Sequence, residues 1–229
     1  MYPEKTVQWC IQSDEEDVLF GPSRGCQEFE QRVLEFDGPS DGSGPSADDE
    51  LLFVLEGTGV GRIAGQRTEL SPGSAVYVAA GSEWSLDEAS GLRVLSVLVR
   101  EPLPSNGATH AVVGIDDVEP GEATAGRMFR MLAPSPSVTQ FVGYIPPGRA
   151  PDHYHRYDEV VYVLQGNGAL HIAGESAPLR RGSCIHLPAK IVHALENHGP
   201  GEMHVLGVFR PAGSPAEAYY VDGTPAAEY

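Results

Sequence analysis

Apolar residues along the chain fall in short runs, and each run ends at glycine, proline or a polar cluster, as in EVVYVLQG, ALHIAG, SCIHLP and HVLGVF. Runs of this length without helical periodicity are typical of β-strands. Closely spaced strands predict a β-sandwich or barrel. Short helical turns are expected only at residues 117–125 and 214–219. The 27 glycines and 19 prolines agree with many turns between short strands.

The hydrophobic pattern occurs twice. Residues 49–86 align with residues 158–195 at an offset of 109 without a gap, and 14 of the 38 positions are identical. The identities include glycine pairs such as Gly57/Gly166 and Gly73/Gly182, and glycines at matched places imply the same turns. The sequence therefore predicts an all-β protein of two tandem barrels.

The repeat also sets the expected domains. We assign residues 1–112 to an N-terminal barrel and residues 113–229 to a C-terminal barrel. The stretch EPLPSNGATH at residues 101–110 is expected to link them, and the Gly/Pro/Ser/Asp-rich residues 36–49 are expected to form a loop.

Charge narrows the classes of partner. The net charge of −17 argues against nucleic acid and against an anionic membrane surface, because both require clustered lysine and arginine. The opening residues MYPEKTVQWC contain no apolar run typical of a signal peptide. Three cysteines without a C-x-x-C pair do not suggest a disulfide framework. A cytoplasmic location is expected.

The second copy carries the candidate chemistry in the segment HYHRYDE, residues 153–159. Side chains alternate along a strand, so His153, His155 and Glu159 share parity and can face one way. Two imidazoles and a carboxylate suit Fe, Mn, Ni or Zn. A fourth ligand is expected from a neighbouring strand, where His193 is the candidate.

These residues resemble the two motifs of the cupin superfamily. The segment that resembles the first motif is Gly148-x4-His153-x-His155-x3-Glu159-x6-Gly166. The segment that resembles the second motif is Gly182-x5-Pro188-x4-His193-x3-Asn197. The resemblance implies two jelly-roll barrels, a bicupin, with one divalent transition metal held by His153, His155, Glu159 and His193. The spacing from Pro188 to His193 departs slightly from the commonest pattern.

The first copy lacks this ligand set. Opposite the four ligands stand Gly44, Ser46, Glu50 and Trp84, so a single carboxylate remains. Trp84 is expected to fill the space that a metal would take. We therefore expect a structural or gating domain without a metal.

The resemblance implies a small-molecule substrate and allows a homodimer. An oxidoreductase of dioxygenase type is the preferred function. The alternatives are a redox-neutral metal-dependent isomerase, lyase or hydrolase, and a metabolite-binding bicupin without turnover. Bicupin oxalate decarboxylases have a similar layout but keep ligands in both barrels. Ureidoglycine aminohydrolases resemble the chain in having one metal barrel, but their ligand pattern begins with Glu and ends with Gln.

Three further side chains are candidates near the site. Tyr157 shares parity with the ligands and is assigned a catalytic role as a hydrogen-bond donor to substrate. Arg149 and Arg156 are candidates for pairing with an anionic substrate. Free imidazole has a pKa of roughly 6.5, so protons are expected to compete with metal below about pH 6.

Overall fold

The computed structural model describes residues 9–13, 18–102, 110–135 and 137–226. Two short 3-10 helices occur in this part, at Pro22–Arg24 and Ile115–Asp117. No helix among the described residues is long and apolar enough to cross a membrane. The strands, in chain order, are β1 Cys10–Gln12, β2 Val18–Phe20, β3 Phe29–Phe36, β4 Ser40–Ser43, β5 Asp49–Ile63, β6 Gln66–Leu70, β7 Ser74–Val78, β8 Trp84–Val99, β9 His110–Gly114, β10 Gly121–Glu122, β11 Met128–Pro134, β12 Thr139–Ile145, β13 Gly148–Arg149, β14 His153–Tyr154, β15 Asp158–Gln165, β16 Asn167–Ile172, β17 Glu175–Arg180, β18 Ser183–Leu187, β19 His193–Asn197, β20 Met203–Arg210 and β21 Tyr219–Tyr220.

The sequence repeat is a structural repeat. Strand β5, moved by 109 residues, covers β15 and β16 together, and β7 covers β18. The strand pairings repeat as well, since Glu50 lies opposite Val78 as Glu159 lies opposite Leu187. Both copies also shift register after the matched Val54 and Val163. The all-β prediction of two barrels is confirmed.

The chain divides into two compact units, which differ from the predicted split at residue 112 in several segments. The N-terminal unit contains the described residues 18–102, 110–119 and 132–140 except Pro136. The C-terminal unit contains 9–13, 120–131 and 141–226. Residues 103–109 of the predicted linker lie outside the described residues.

Strand pairing and side-chain bonds explain these assignments. Strand β9 pairs with β7, which keeps residues 110–114 in the N-terminal unit. Ser137 donates a hydrogen bond of 3.0 Å to buried Asp49, whose carboxylate also accepts from the Tyr77 hydroxyl. Strand β1 pairs with β18, which brings residues 10–12 into the C-terminal unit.

The N-terminal unit is one eight-stranded antiparallel sheet in the order β2-β3-β8-β5-β7-β9, with β4 on β8 and β6 on β5. Strands β5 and β8 are 15 and 16 residues long and carry most of the core. Strand β4 lies within the expected loop at residues 36–49, and its pairing with β8 makes part of that segment regular.

The C-terminal unit has two walls. One wall runs β1-β18-β15-β20-β12-β11-β10, and the other runs β17-β16-β19-β14-β21. Apolar side chains from both walls form the core, which includes Trp9 before β1 and against which Cys10 of β1 packs. Buried apolar surface between two walls is the main stabilising contribution in such a barrel.

The helical turns expected at 117–125 and 214–219 are replaced by other structures. The first region contains the end of the 3-10 helix Ile115–Asp117 and then strand β10. A tight hairpin follows, with positive φ at Ala125 (56°) and Gly126 (70°). The second region is a turn closed by the Glu217 N–H and the Ser214 carbonyl, and it leads into β21.

Candidate metal centre

Three histidines of the C-terminal unit converge inside the barrel. His153 in β14 is the cross-strand partner of His193 in β19. His155 follows β14, and the Lys190 N–H donates to its carbonyl at 2.7 Å. One ring nitrogen of each histidine lies within 4.8 Å of those of the other two, and all three side chains are buried. The predicted histidines are therefore brought together.

Backbone carbonyls fix the orientation of each ring. The Nδ1 atoms of His153, His155 and His193 lie 2.8, 3.0 and 3.0 Å from the carbonyl oxygens of Pro151, Glu217 and Ile191, respectively. A carbonyl oxygen only accepts, so each Nδ1 carries the proton and donates. Each Nε2 then keeps its lone pair, and a histidine whose other ring N–H is held by a hydrogen bond is typical of metal sites.

The three imidazoles are held neutral. Burial lowers the pKa of His155 to about 3 and that of His193 to about 4. Burial, and next the charge of His193, lowers the pKa of His153 well below its ordinary value. Because these pKa values are lowered, protons are expected to compete with metal for the histidines at a lower pH than the value of about 6 expected from free imidazole. In the folded chain these histidines stay ready to bind metal at distinctly lower pH.

Glu159, the fourth predicted ligand, faces the same cavity but is not part of the three-histidine cluster. Its carboxyl is buried, and burial raises its pKa to about 8, while the charge of Arg127 acts in the opposite direction. Among the described residues, no donor lies within hydrogen-bond distance of the carboxylate oxygens. A buried carboxylate without a donor beside three imidazole lone pairs fits a divalent metal ion.

Gly207 in β20 explains why Glu159 lacks a donor. Gly207 is the cross-strand partner of Val161. In the N-terminal unit the residue that matches Val161 is Leu52, and its cross-strand partner is Ser96. A Cβ atom at Gly207 would lie 3.1 Å from Glu159 Oε1 and 2.3 Å from Phe141. The absence of a side chain at Gly207 therefore leaves room for the carboxylate.

In the N-terminal unit both oxygens of the corresponding carboxylate, that of Glu50, accept hydrogen bonds from protein side chains. Glu50 accepts 2.7 Å from Trp84 Nε1 and 2.6 Å from Ser96 Oγ. Trp84 is buried, and its ring meets Phe36 edge-on at 5.9 Å. A large apolar ring and two neutral donors thus occupy the place of the metal ligands.

The three histidines and Glu159 line a cavity of about 60 Å³. The rest of its wall is mainly apolar, and the aromatic part consists of Phe129, Phe141, Tyr144 and Phe209. Phe141 and Phe209 pack at 4.7 Å. Such a wall excludes water and accepts the apolar part of a small organic molecule.

Tyr157 does not line this cavity. Its ring stacks behind His155 at 6.2 Å, packs on Phe209 at 5.0 Å and lies close to Gly213. The chain bends at residues 156–157 between β14 and β15, so strand alternation does not hold there. In this structure the Tyr157 ring packs behind His155, and its catalytic role stays a prediction.

Sequence reasoning missed Arg127, which lines the cavity. The two arginines proposed instead lie elsewhere: Arg149 pairs with Asp152 at 2.6 Å on the surface, and Arg156 lies over the ring of Tyr219. The Ala-Gly pair that precedes Arg127 signals the hairpin turn, but not the position of the arginine side chain at the cavity. Ala-Gly pairs at 64–65 and 173–174 also form hairpin turns with positive φ at both residues.

Fold and site together define the class. Two matched jelly-roll units, one of which brings three histidines together inside its barrel, give the chain the two-barrel fold of a bicupin. Residues 141–209 match the family model described as "Cupin domain".

Two curated relatives are similar over about half of the chain. "Polyketide synthase CurC" of Streptomyces cyaneus is 28% identical over 117 residues, which are 48% of this chain and 76% of that protein. "Protein SchB" of Streptomyces halstedii is 29% identical over 117 residues, which are 48% of this chain and 85% of that protein.

Solved structures share the fold at low sequence identity. The protein Ylba from E. coli superposes with a TM-score of 0.73 at 15% identity, covering 90% of this chain and 91% of that one. A single-site mutant of Bacillus subtilis oxalate decarboxylase OxdC gives 0.72 at 11% identity, covering 93% and 79%. At these identities the likeness shows the two-barrel fold alone.

Proposed function

We propose that the protein is a metal-dependent enzyme that converts a small organic molecule in the C-terminal cavity, and that it is an oxidoreductase of dioxygenase type. One observation carries the proposal. Three buried histidines have one ring nitrogen each within 4.8 Å of the others, while the Nδ1 atom of each lies within hydrogen-bond distance of a backbone carbonyl.

His153, His155 and His193 would hold one Fe, Mn, Ni or Zn ion, with Glu159 as the fourth ligand. When bound, such an ion supplies a Lewis acid that orients and polarises substrate, and a redox-active ion also supplies electron transfer with dioxygen. The chain itself contributes the apolar wall around Phe141 and Phe209, which keeps water from the reacting molecule.

The position of Glu159 favours a second candidate, a redox-neutral isomerase, lyase or hydrolase. Burial raises the pKa of its carboxyl to about 8 in the metal-free protein, so the metal-free carboxyl carries a proton at neutral pH. If the three histidines hold the ion alone, Glu159 would donate or accept a proton at its carboxyl oxygen. A metabolite-binding bicupin without turnover is the third possibility.

Metal content and oxygen uptake separate these functions. The protein is purified without a His tag and its metals are measured by elemental analysis. Oxygen consumption is then followed with phenols, diketones and keto acids, and the name of the Streptomyces cyaneus relative adds polyketides to this panel. The proposal expects Fe, Mn or Ni and oxygen uptake matched to substrate loss. Loss of substrate without oxygen uptake would indicate a redox-neutral enzyme. Binding of a compound without its conversion would indicate a metabolite-binding protein without turnover.

A pair of variants tests the site independently of turnover. His193→Ala should lose the metal because it removes one of the three converging imidazoles. His171→Ala is the matched control, since His171 lies in the adjacent strand β16 and bonds to Glu196 at 2.7 Å outside the cluster. Full metal content in the His193→Ala protein would contradict the proposed centre.

A further inference from the structure

Arg127 follows the hairpin between β10 and β11 and lines the same cavity as Glu159 and the three histidines. Among the described residues that line this cavity, it is the only lysine or arginine. Its charge acts on Glu159 and on each of the three histidines, but no ion pair within 4.0 Å forms with Glu159. The cavity therefore holds a cation that the described residues do not neutralise by contact.

The hairpin fixes this cation in place. The Arg127 N–H donates to the Thr124 carbonyl at 3.3 Å, and the Ala123 N–H donates to the Arg127 carbonyl at 2.8 Å. Ala125 takes a left-handed conformation at φ 56°, which the turn imposes on a residue that disfavours it. The backbone of Arg127 is thus held on both sides of a tight turn.

The side chain is held along one edge only. Arg127 Nε donates to the Thr124 carbonyl at 2.9 Å, and Nη2 donates to the Thr124 hydroxyl. Thr124 is itself buried. The guanidinium has five N–H donors, and Nη1 has no acceptor among the described residues. A fixed fork with unused donors matches the two oxygens of a carboxylate.

Local charge agrees with an anionic ligand. With a divalent ion and an ionised Glu159, the lining of neutral imidazoles and Arg127 carries net positive charge, although the whole chain has a net charge of −17. The apolar wall beside Arg127, including Met128, Phe129 and Phe141, leaves space for a hydrocarbon group. Both features together describe a ligand with one anionic end.

We infer that the cavity recognises a small carboxylic acid, whose carboxylate pairs with the Arg127 guanidinium and whose apolar part packs against the aromatic wall. This inference rests on the proposed function and names its substrate class. Arg127 acts as a specificity-determining residue that binds the anionic end and does not hold the metal.

Two matched ligand pairs test the inference: pyruvate against pyruvamide, and benzoate against benzamide. Affinities are measured by calorimetry on the metal-loaded full chain and again after chelator treatment. We expect the wild type to bind at least one acid roughly tenfold or more tightly than its amide, because a desolvated charge pair is lost with the amide. Arg127→Gln should remove this preference and leave amide affinity within about twofold.

Arg149→Gln is the matched control, because Arg149 is an exposed arginine of the same unit. It should keep the preference for the acids. If Arg127→Gln loses metal or cooperative unfolding, Arg127→Lys decides. A folded, metal-loaded lysine variant with a reduced preference supports the inference, and loss of metal or fold in that variant as well would assign Arg127 a structural role and overturn it.

Equal binding of acid and amide by the wild type, or an unchanged preference in Arg127→Gln, would also overturn the inference. Neither result touches the metal content or the oxygen uptake, on which the proposed function depends. Conversely, a protein that prefers the acids but has neither metal nor turnover would contradict the proposed function and still support the carboxylate site.

Discussion

The buried carboxyl of Glu159 gives the metal-free protein a distinctive dependence on pH. In the unfolded chain the carboxyl has its ordinary pKa of 4.5, whereas burial raises the pKa to about 8 in the folded chain. A group with a raised folded pKa contributes its full stability below pH 4.5, and this contribution is lost as the pH rises toward 8. At 1.36 kcal/mol for each pH unit, the loss is about 3 kcal/mol at pH 7.

The assay compares wild type with Glu159→Gln after metal removal by chelator. Unfolding free energies are measured by denaturant titration between pH 4.5 and pH 8.5, with tryptophan fluorescence as one signal because Trp9 packs in the same core. We expect the variant to gain on the wild type by about 3 kcal/mol between pH 4.5 and 7, because the amide never ionises. Saturating metal should reduce the pH dependence, since it stabilises the ionised carboxylate.

The histidines act in the opposite direction but equally in both proteins. Their folded pKa values are lowered, so their stability contribution is complete above pH 6.5 and is lost as the pH falls toward 4 and 3. Taking the difference between the two proteins cancels this effect. Glu175→Gln, at an exposed position on β17, is the control and should follow the wild type. A difference between wild type and Glu159→Gln that is flat across this range would refute the reasoning.

Three further outcomes are expected. Elemental analysis should find one metal per chain, because among the described residues only the C-terminal unit has the clustered histidines; two tightly bound equivalents would contradict this. Zinc affinity should rise about tenfold per pH unit from roughly pH 5 to 8, since Glu159 must lose a proton to bind, and competition titrations should show this slope vanish in Glu159→Gln. Trp84→Ala should lower stability by about 3–5 kcal/mol in denaturant titrations with metal content unchanged; a loss of metal would show that the N-terminal unit supports the site.

Turns were the most predictable part of the fold. The matched glycines at 57 and 166 both adopt positive φ, and strand registers on either side repeat at the same offset. A turn that requires positive φ restricts the residue type, so the sequence retains its position. The converging histidines were predictable for a similar reason, because the ligands of one ion must occupy fixed places on paired strands.

Contacts made by chain segments distant in sequence were not predictable. Arg127 reaches the cavity through a hairpin before the first motif, and His155 is oriented by the carbonyl of Glu217, 62 residues later. Neither contact leaves a periodic pattern. Strand alternation does not extend to Tyr157, because the chain bends at residues 156–157 and successive side chains there no longer point to opposite faces.

Strand β1 has a consequence for how the protein is made. Its pairing with β18 joins residues far apart, as in the hydrogen bond from Gln12 to Ser183, which are 171 positions apart. Closing so long a loop is entropically costly and slow compared with forming a hairpin. During translation β1 must wait, unpaired, until β18 has left the ribosome. The barrel with the converging histidines is therefore completed late, only after nearly all of the second copy has been synthesised.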